Sequence, residues 1–232
     1  MSETPSKLRT VVSLGCRVLG ADDQGDLIWG HVSARDPDGR GVWMKAATFG
    51  FEEVDVDRVI LVDDEGDVVD GSERRHIEFP IHTEVMAARS DVGSVVHTHG
   101  PHAVAFGALD QELLPISHEG TLFVPPDVAR FTATGDLIMT RELGRGVAEA
   151  LGDRNALLLI NHGLVTVGPD VPTAVLNAIL LERACRIQLL AASGGRIAKW
   201  SSDDEALSKR EHCYSSTLLH QAWDYLVRRL DQ

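Results

Sequence analysis

The stretch Ser94-Val95-Val96-His97-Thr98-His99-Gly100 decides the reading of this chain. Ser94 to Val96 leads with β-branched residues and Gly100-Pro101 stops the run, so the segment reads as a strand. Side chains alternate faces along a strand, which puts His97 and His99 on one side, ~6.5 Å apart at Cα, with Thr98 facing away. Two neutral imidazoles at that separation can converge on one divalent ion. The same pair equally suits two water-solvated polar residues at a strand end, and so short a motif does not choose. A cupin-type site also uses His-x-His but needs a Glu a few residues on, and the segment 100–106 (GPHAVAF) has none.

Two flanking segments add to the pair. In the segment 155–163 (NALLLINHG), a buried apolar strand ends in Asn161-His162-Gly163, so His162 also stands at a strand end. Alone it reads as a turn histidine. Three histidines at strand ends, two of them in fixed register, fit a three-nitrogen catalytic metal site with an open position. An all-histidine shell favours Zn²⁺, with Mn²⁺, Co²⁺ or Fe²⁺ as alternatives. Upstream, Glu78 precedes a helix that Pro80 opens and Ile81, Glu84, Val85 and Ala88 continue. A carboxylate there is either a partner for the helix dipole or, beside a metal, a general acid or base.

The remaining chain alternates helical and strand-like pieces. Residues 6–20 carry Leu8, Val11, Val12, Leu14 and Leu19 at helical spacing and end at Gly20. Strand-like segments follow at 26–35, 41–46 and 58–69, the last folded back at Asp63-Asp64-Glu65-Gly66-Asp67 as a hairpin. A short Ala-rich helix starts at Pro101, and a long one runs over 173–193 to Gly194-Gly195. The tail from Asp203 reads as amphipathic helix, with Leu207, Tyr214, Leu218, Trp223 and Leu226 on its apolar side. These elements give an α/β fold: a single α/β/α domain over 1–232, its central, largely antiparallel sheet flanked by helices. Strand order does not follow from them.

Composition narrows the partners. With 232 residues, 44% hydrophobic and 25% charged, the chain has an ordinary globular make-up and no apolar run near the ~18 residues of a membrane span. The net charge of −13, without a basic run, argues against nucleic acid and anionic membrane and leaves a small-molecule substrate. The opening MSETPSKLRT lacks a signal-peptide core, and Cys16, Cys185 and Cys213 form no close pair, so a cytoplasmic location is expected.

The order Glu78, His97-Thr98-His99, Asn161-His162-Gly163 resembles the class II aldolase/adducin superfamily, as do GHVSAR from Gly30, the segment 88–106 and TGDLI from Thr134. The resemblance spans roughly residues 8–195. It implies an α/β/α domain with a central antiparallel sheet, and a homotetramer with active sites between neighbouring subunits. His97, His99 and His162 would be the metal ligands, with Glu78 the acid/base that also ligates when no substrate is bound. His118 or Glu119 would take the place of a proton-donating Tyr offered by a neighbour, and Tyr214 that of a second Tyr in the tail.

Sugar-phosphate aldolases of this superfamily cradle phosphate in three small-residue segments, and this chain departs from each. They read Gly30-His31-Val32-Ser33, the segment 45–50 (KAATFG) and Arg75-His76-Ile77. Bulky Phe49 and Ile77 do not supply the hydroxyls and free N–H groups that phosphate needs. An unphosphorylated substrate is therefore expected. His31 and Ser33 would contact it, and Lys45 or Arg75 would hold a carboxylate. Members acting on hydroxy-aromatic carboxylates share the GHxSxR form of the early motif. The expectation is a metal-dependent carbon–carbon lyase, with decarboxylation of a hydroxy-aromatic or 2-oxo acid ahead of retro-aldol cleavage. Dehydration or epimerisation would use the same metal, and an adducin-like interaction module is the alternative outside enzymes.

Overall fold

The computed structural model describes residues 4–230; the two ends of the domain expected over 1–232 lie outside the described residues. Its helices are α1 (Pro5–Ala21), α2 (Pro80–Ala88), α3 (Pro101–Gly107), α4 (His118–Thr121), α5 (Arg141–Leu151), α6 (Val171–Ser193), α7 (Asp203–Cys213) and α8 (Ser216–Arg229). The strands are β1 (His31–Arg35), β2 (Val42–Lys45), β3 (Val59–Val62), β4 (Val68–Asp70), β5 (Ser94–Thr98), β6 (Ala129–Phe131), β7 (Ala156–Leu159) and β8 (Gly163–Gly168).

All eight strands join one sheet in the order β4-β3-β2-β1-β5-β8-β7-β6. The sheet is antiparallel except where β6 pairs parallel with β7. Period-two alternation sorts its side chains into two apolar layers. Val95, Leu157, Val165 and Val167 pack against Ile81 and Val85 of α2 and Val147 and Leu151 of α5. Val32, Val96, Leu158 and Leu164 face Leu8 and Val12 of α1, Ala103 of α3 and Val175 and Ile179 of α6. The result is the expected α/β/α sandwich. No helix among the described residues is long and apolar enough to cross a membrane.

Several elements differ from their reading in sequence, among them β6, α4 and α5, for which no element was expected. The apolar Asp26-Leu27-Ile28-Trp29 forms a turn, because Leu27 has φ 52° and the Trp29 N–H bonds to the Asp26 carbonyl at 3.0 Å. The tail makes two helices rather than one, α8 starting afresh where the Ser215 hydroxyl accepts from the Leu218 N–H. β8 is a strand that the sequence reading left out. It lies beside β5 and completes the surroundings of the histidines.

Candidate metal centre

Sheet register builds the site. His97 in β5 stands directly across from His31 in β1 on one side and from Val165 in β8 on the other. It shares the α2-facing side of β5 with Val95, and His99 continues that face just beyond the strand end. β7 and β8 are joined by a tight turn in which Asn161 takes φ 54°, a left-handed conformation that Asn tolerates. This turn carries His162 back over the two rings. Gly163 is required beside it: a Cβ there would lie 2.4 Å from the Thr98 carbonyl oxygen and 2.9 Å from the His99 ring. Glu78 enters from the loop ahead of α2, with Oε1 accepting the Ile138 N–H at 2.7 Å.

One ligand-type atom from each of Glu78, His97, His99 and His162 falls within 4.8 Å of all the others. Glu78 Oε2 lies 3.8 Å from His97 Nε2, and Oε1 3.7 Å from His162 Nε2. The structure thus brings together the four residues that the sequence singled out around one point.

Hydrogen bonding tests whether a cation fits there. His97 Nδ1 lies 2.9 Å from the Leu164 carbonyl oxygen and His99 Nδ1 lies 2.9 Å from Asp26 Oδ2. A carbonyl and a carboxylate oxygen only accept, so both Nδ1 atoms carry the hydrogen and both Nε2 atoms present lone pairs. Those two Nε2 atoms are 3.0 Å apart. Two lone pairs facing at that distance repel unless a positive centre sits between them. Both ring nitrogens of His162 are buried with no hydrogen-bond partner, an uncommon state for a buried polar atom. Burial holds His97 well below the usual histidine range and brings His162 down to about 4, so both rings are neutral and able to ligate at neutral pH. Burial pushes the Glu78 carboxyl up, against the Ile138 N–H, which favours its charged form. A divalent cation answers the facing lone pairs, the unpartnered His162 and the buried carboxylate together.

Asp26 was not evident from sequence; it lies in the Asp26–Trp29 turn, 73 residues before His99. A carboxylate on the far nitrogen fixes ring orientation and raises ligand basicity. Asp26→Ala is expected to weaken metal affinity roughly 10–100-fold without unfolding a residue whose side chain is 43% exposed. Competition with a fluorescent chelator measures this, and unchanged affinity would refute the role.

Of the other expected site residues, His31 lies against the metal-binding atoms and the rest lie apart from them. His31 is buried with Nε2 4.0 Å from Glu78 Oε2, beside the cluster. Ser33 is fully buried with Oγ 2.6 Å from His82 Nδ1, so it meets a second histidine rather than the cavity. Lys45 is fully buried, its Nζ committed to the Ile28 and Ala46 carbonyls and to His76 Nε2. Burial lowers it to about 8. Arg75 stacks on Phe79 and donates to the Gly66 and His76 carbonyls. Both cations are thus engaged within the fold, and neither lines the cavity of its own chain. His118 and Glu119 open α4, and Cys213 Sγ sits 3.4 Å from His118 Nδ1, with Tyr214 next in sequence. None of these lines the cavity of its own chain.

That cavity, of about 530 Å³, opens above the metal-binding atoms. Asp26, Glu78, His99, Asn161 and His162 give it a polar floor; Trp29, Pro101, Val104 and Leu137 give it an apolar wall.

The sequence matches the family profile described as "Class II Aldolase and Adducin N-terminal domain" over residues 11–189. It is 30% identical over 242 aligned positions to 3,4-dihydroxyphthalate decarboxylase of Arthrobacter keyseri, covering 98% of this chain and 95% of that relative. It is 32% identical to "Decarboxylase NovR" of Streptomyces niveus, covering 83% of this chain and 72% of that one. Among solved structures, L-fuculose 1-phosphate aldolase from Glaciozyma antarctica PI12 superposes with a TM-score of 0.86 at 26% identity, covering 97% of this chain and 89% of that one.

Proposed function

The chain belongs to the class II aldolase and adducin family and is a lyase of it; from that premise we propose a metal-dependent decarboxylase of an unphosphorylated hydroxyaryl carboxylic acid. The observation that carries this reading is the cavity, which sets a polar floor of metal-binding groups beside an apolar wall of Trp29, Val104 and Leu137. A planar ring fits such a wall while its oxygens reach the floor. The decarboxylase relatives support the same reaction.

His97, His99 and His162 would hold the ion, and we take Zn²⁺ as the occupant on ligand chemistry. When bound, it supplies Lewis-acid stabilisation of the charge left by carbon–carbon cleavage. The C–CO₂ bond breaks, CO₂ leaves, and its electron pair stays on the ring carbon. A proton must replace it. Glu78, which stands beside the metal-binding nitrogens, would deliver that proton and recover one from water. His118, Glu119 and Tyr214 would act only from a neighbouring subunit of a homotetramer in the cytoplasm.

A second reading is retro-aldol cleavage, favoured by the likeness to the fuculose 1-phosphate enzyme. Metal-loaded protein incubated with dihydroxyaryl acids, 2-oxo acids and hydroxy-carbonyl compounds separates the two. CO₂ release with the dihydroxyaryl acids is expected; aldehyde release without CO₂ would replace decarboxylation with aldol cleavage.

A further inference from the structure

Behind the metal-binding atoms lies a buried chain of three polar groups that the proposed chemistry has not used. His82, four residues after Glu78 in α2, is 0% exposed; His31 is 1% and Ser33 0% exposed. His82 Nε2 lies 2.6 Å from His31 Nδ1, and His82 Nδ1 lies 2.6 Å from Ser33 Oγ. Two contacts that short through one imidazole fix the hydrogens in series. If Ser33 donates to His82, then His82 donates to His31, and His31 Nε2 carries a hydrogen on the metal side. If the chain runs the other way, His31 Nε2 presents a lone pair there.

The inner end selects the direction. At the inner end, the Ser33 hydroxyl is 2.6 Å from the His82 ring and 3.5 Å from its other acceptor, the Val95 carbonyl, so its hydrogen goes to the ring. At the outer end, His31 Nε2 is directed at the metal centre, 4.0 Å from Glu78 Oε2. The neighbouring His76 is bonded instead to Lys45 Nζ at 3.0 Å and leaves the direction unchanged.

We propose that His82, anchored by Ser33, is a positioning residue that holds His31 as a neutral Nε2–H donor aimed at the Glu78 side of the metal centre. The donor is suited to an acceptor oxygen of the substrate, such as its carboxylate. Burial keeps His82 at about 3, so the relay donates without His82 carrying charge. The substrate part rests on the decarboxylase reading; the orientation of His31 does not.

Long-range proton–nitrogen correlation spectra of zinc-loaded, ¹⁵N-labelled protein without substrate test the orientation, with His31 assigned by its loss in His31→Gln. Wild type should show His31 as the Nε2–H tautomer. In Ser33→Ala, His82 loses its donor and turns its own Nδ1–H towards the Val95 carbonyl, so His31 should change to the Nδ1–H form. In His82→Leu the Nε2–H preference should also be lost. If the leucine variant fails to fold, the wild-type and Ser33→Ala spectra decide alone. An Nδ1–H tautomer in wild type, or an Nε2–H signal that survives in Ser33→Ala, would overturn the proposal. On an accepted acid, Ser33→Ala should raise KM about 10- to 100-fold, the range for a hydrogen bond to a charged group, with kcat little changed. An enzyme inert to every acid but showing the expected tautomers would refute the substrate reading while upholding the positioning of His31.

Discussion

Glu78→Gln lowers turnover by roughly 10²–10⁴-fold, the usual worth of a positioned general acid or base, and leaves metal content at the wild-type level. Glutamine keeps the size of the side chain, and its carbonyl oxygen can still accept the Ile138 N–H that holds Glu78 at 2.7 Å. The three histidine nitrogens remain to bind the ion. What disappears is the proton. A carboxylate that only complemented the dipole of α2 would give another result: a stability loss of about 0.5 kcal/mol and almost no kinetic change. Metal analysis, melting temperature and turnover on this single variant separate the two. Unchanged turnover would move the proton transfer to another group, with His118 the first to test.

His97→Ala abolishes both metal binding and turnover yet still folds. The ring is fully buried, so its removal leaves a small void and costs on the order of 1–3 kcal/mol in the metal-free protein. That cost is offset in part because the removal ends the facing of two lone pairs at 3.0 Å. Wild type gains stability on adding metal, since an ion that binds only the folded state shifts unfolding by mass action. The variant should melt at one temperature with and without added Zn²⁺. Full metal occupancy in His97→Ala would show that the ligand set is misassigned.

What sequence revealed and what it hid follow one physical line. Strand alternation made the shared face of His97 and His99 legible, and the apolar run ending in Asn161-His162-Gly163 placed the third ring at a strand end. Glu78 was legible through Pro80, which fixes where the helix starts. Asp26 and His82 were hidden because they meet His99 and His31 across 73 and 51 residues, through a sheet order that local pattern does not encode. Residue type did not reveal which groups engage Lys45 and Arg75. A cation in a motif suggests an anion to bind, yet alternation in β2 sets Lys45 with Trp43, on the face opposite Met44, where backbone carbonyls engage it. Nor did residue type reveal that the Ser33 hydroxyl meets a buried histidine.

The central claim is that one ion, held by three histidines, is needed for loss of CO₂ from a hydroxyaryl acid. Stripping the protein with a chelator and titrating Zn²⁺ back, while following CO₂ release from a 3,4-dihydroxyaryl acid, tests it most directly. The expected result is no release from stripped protein and a linear recovery that breaks at one ion per chain. Release that persists in fully stripped protein would contradict it.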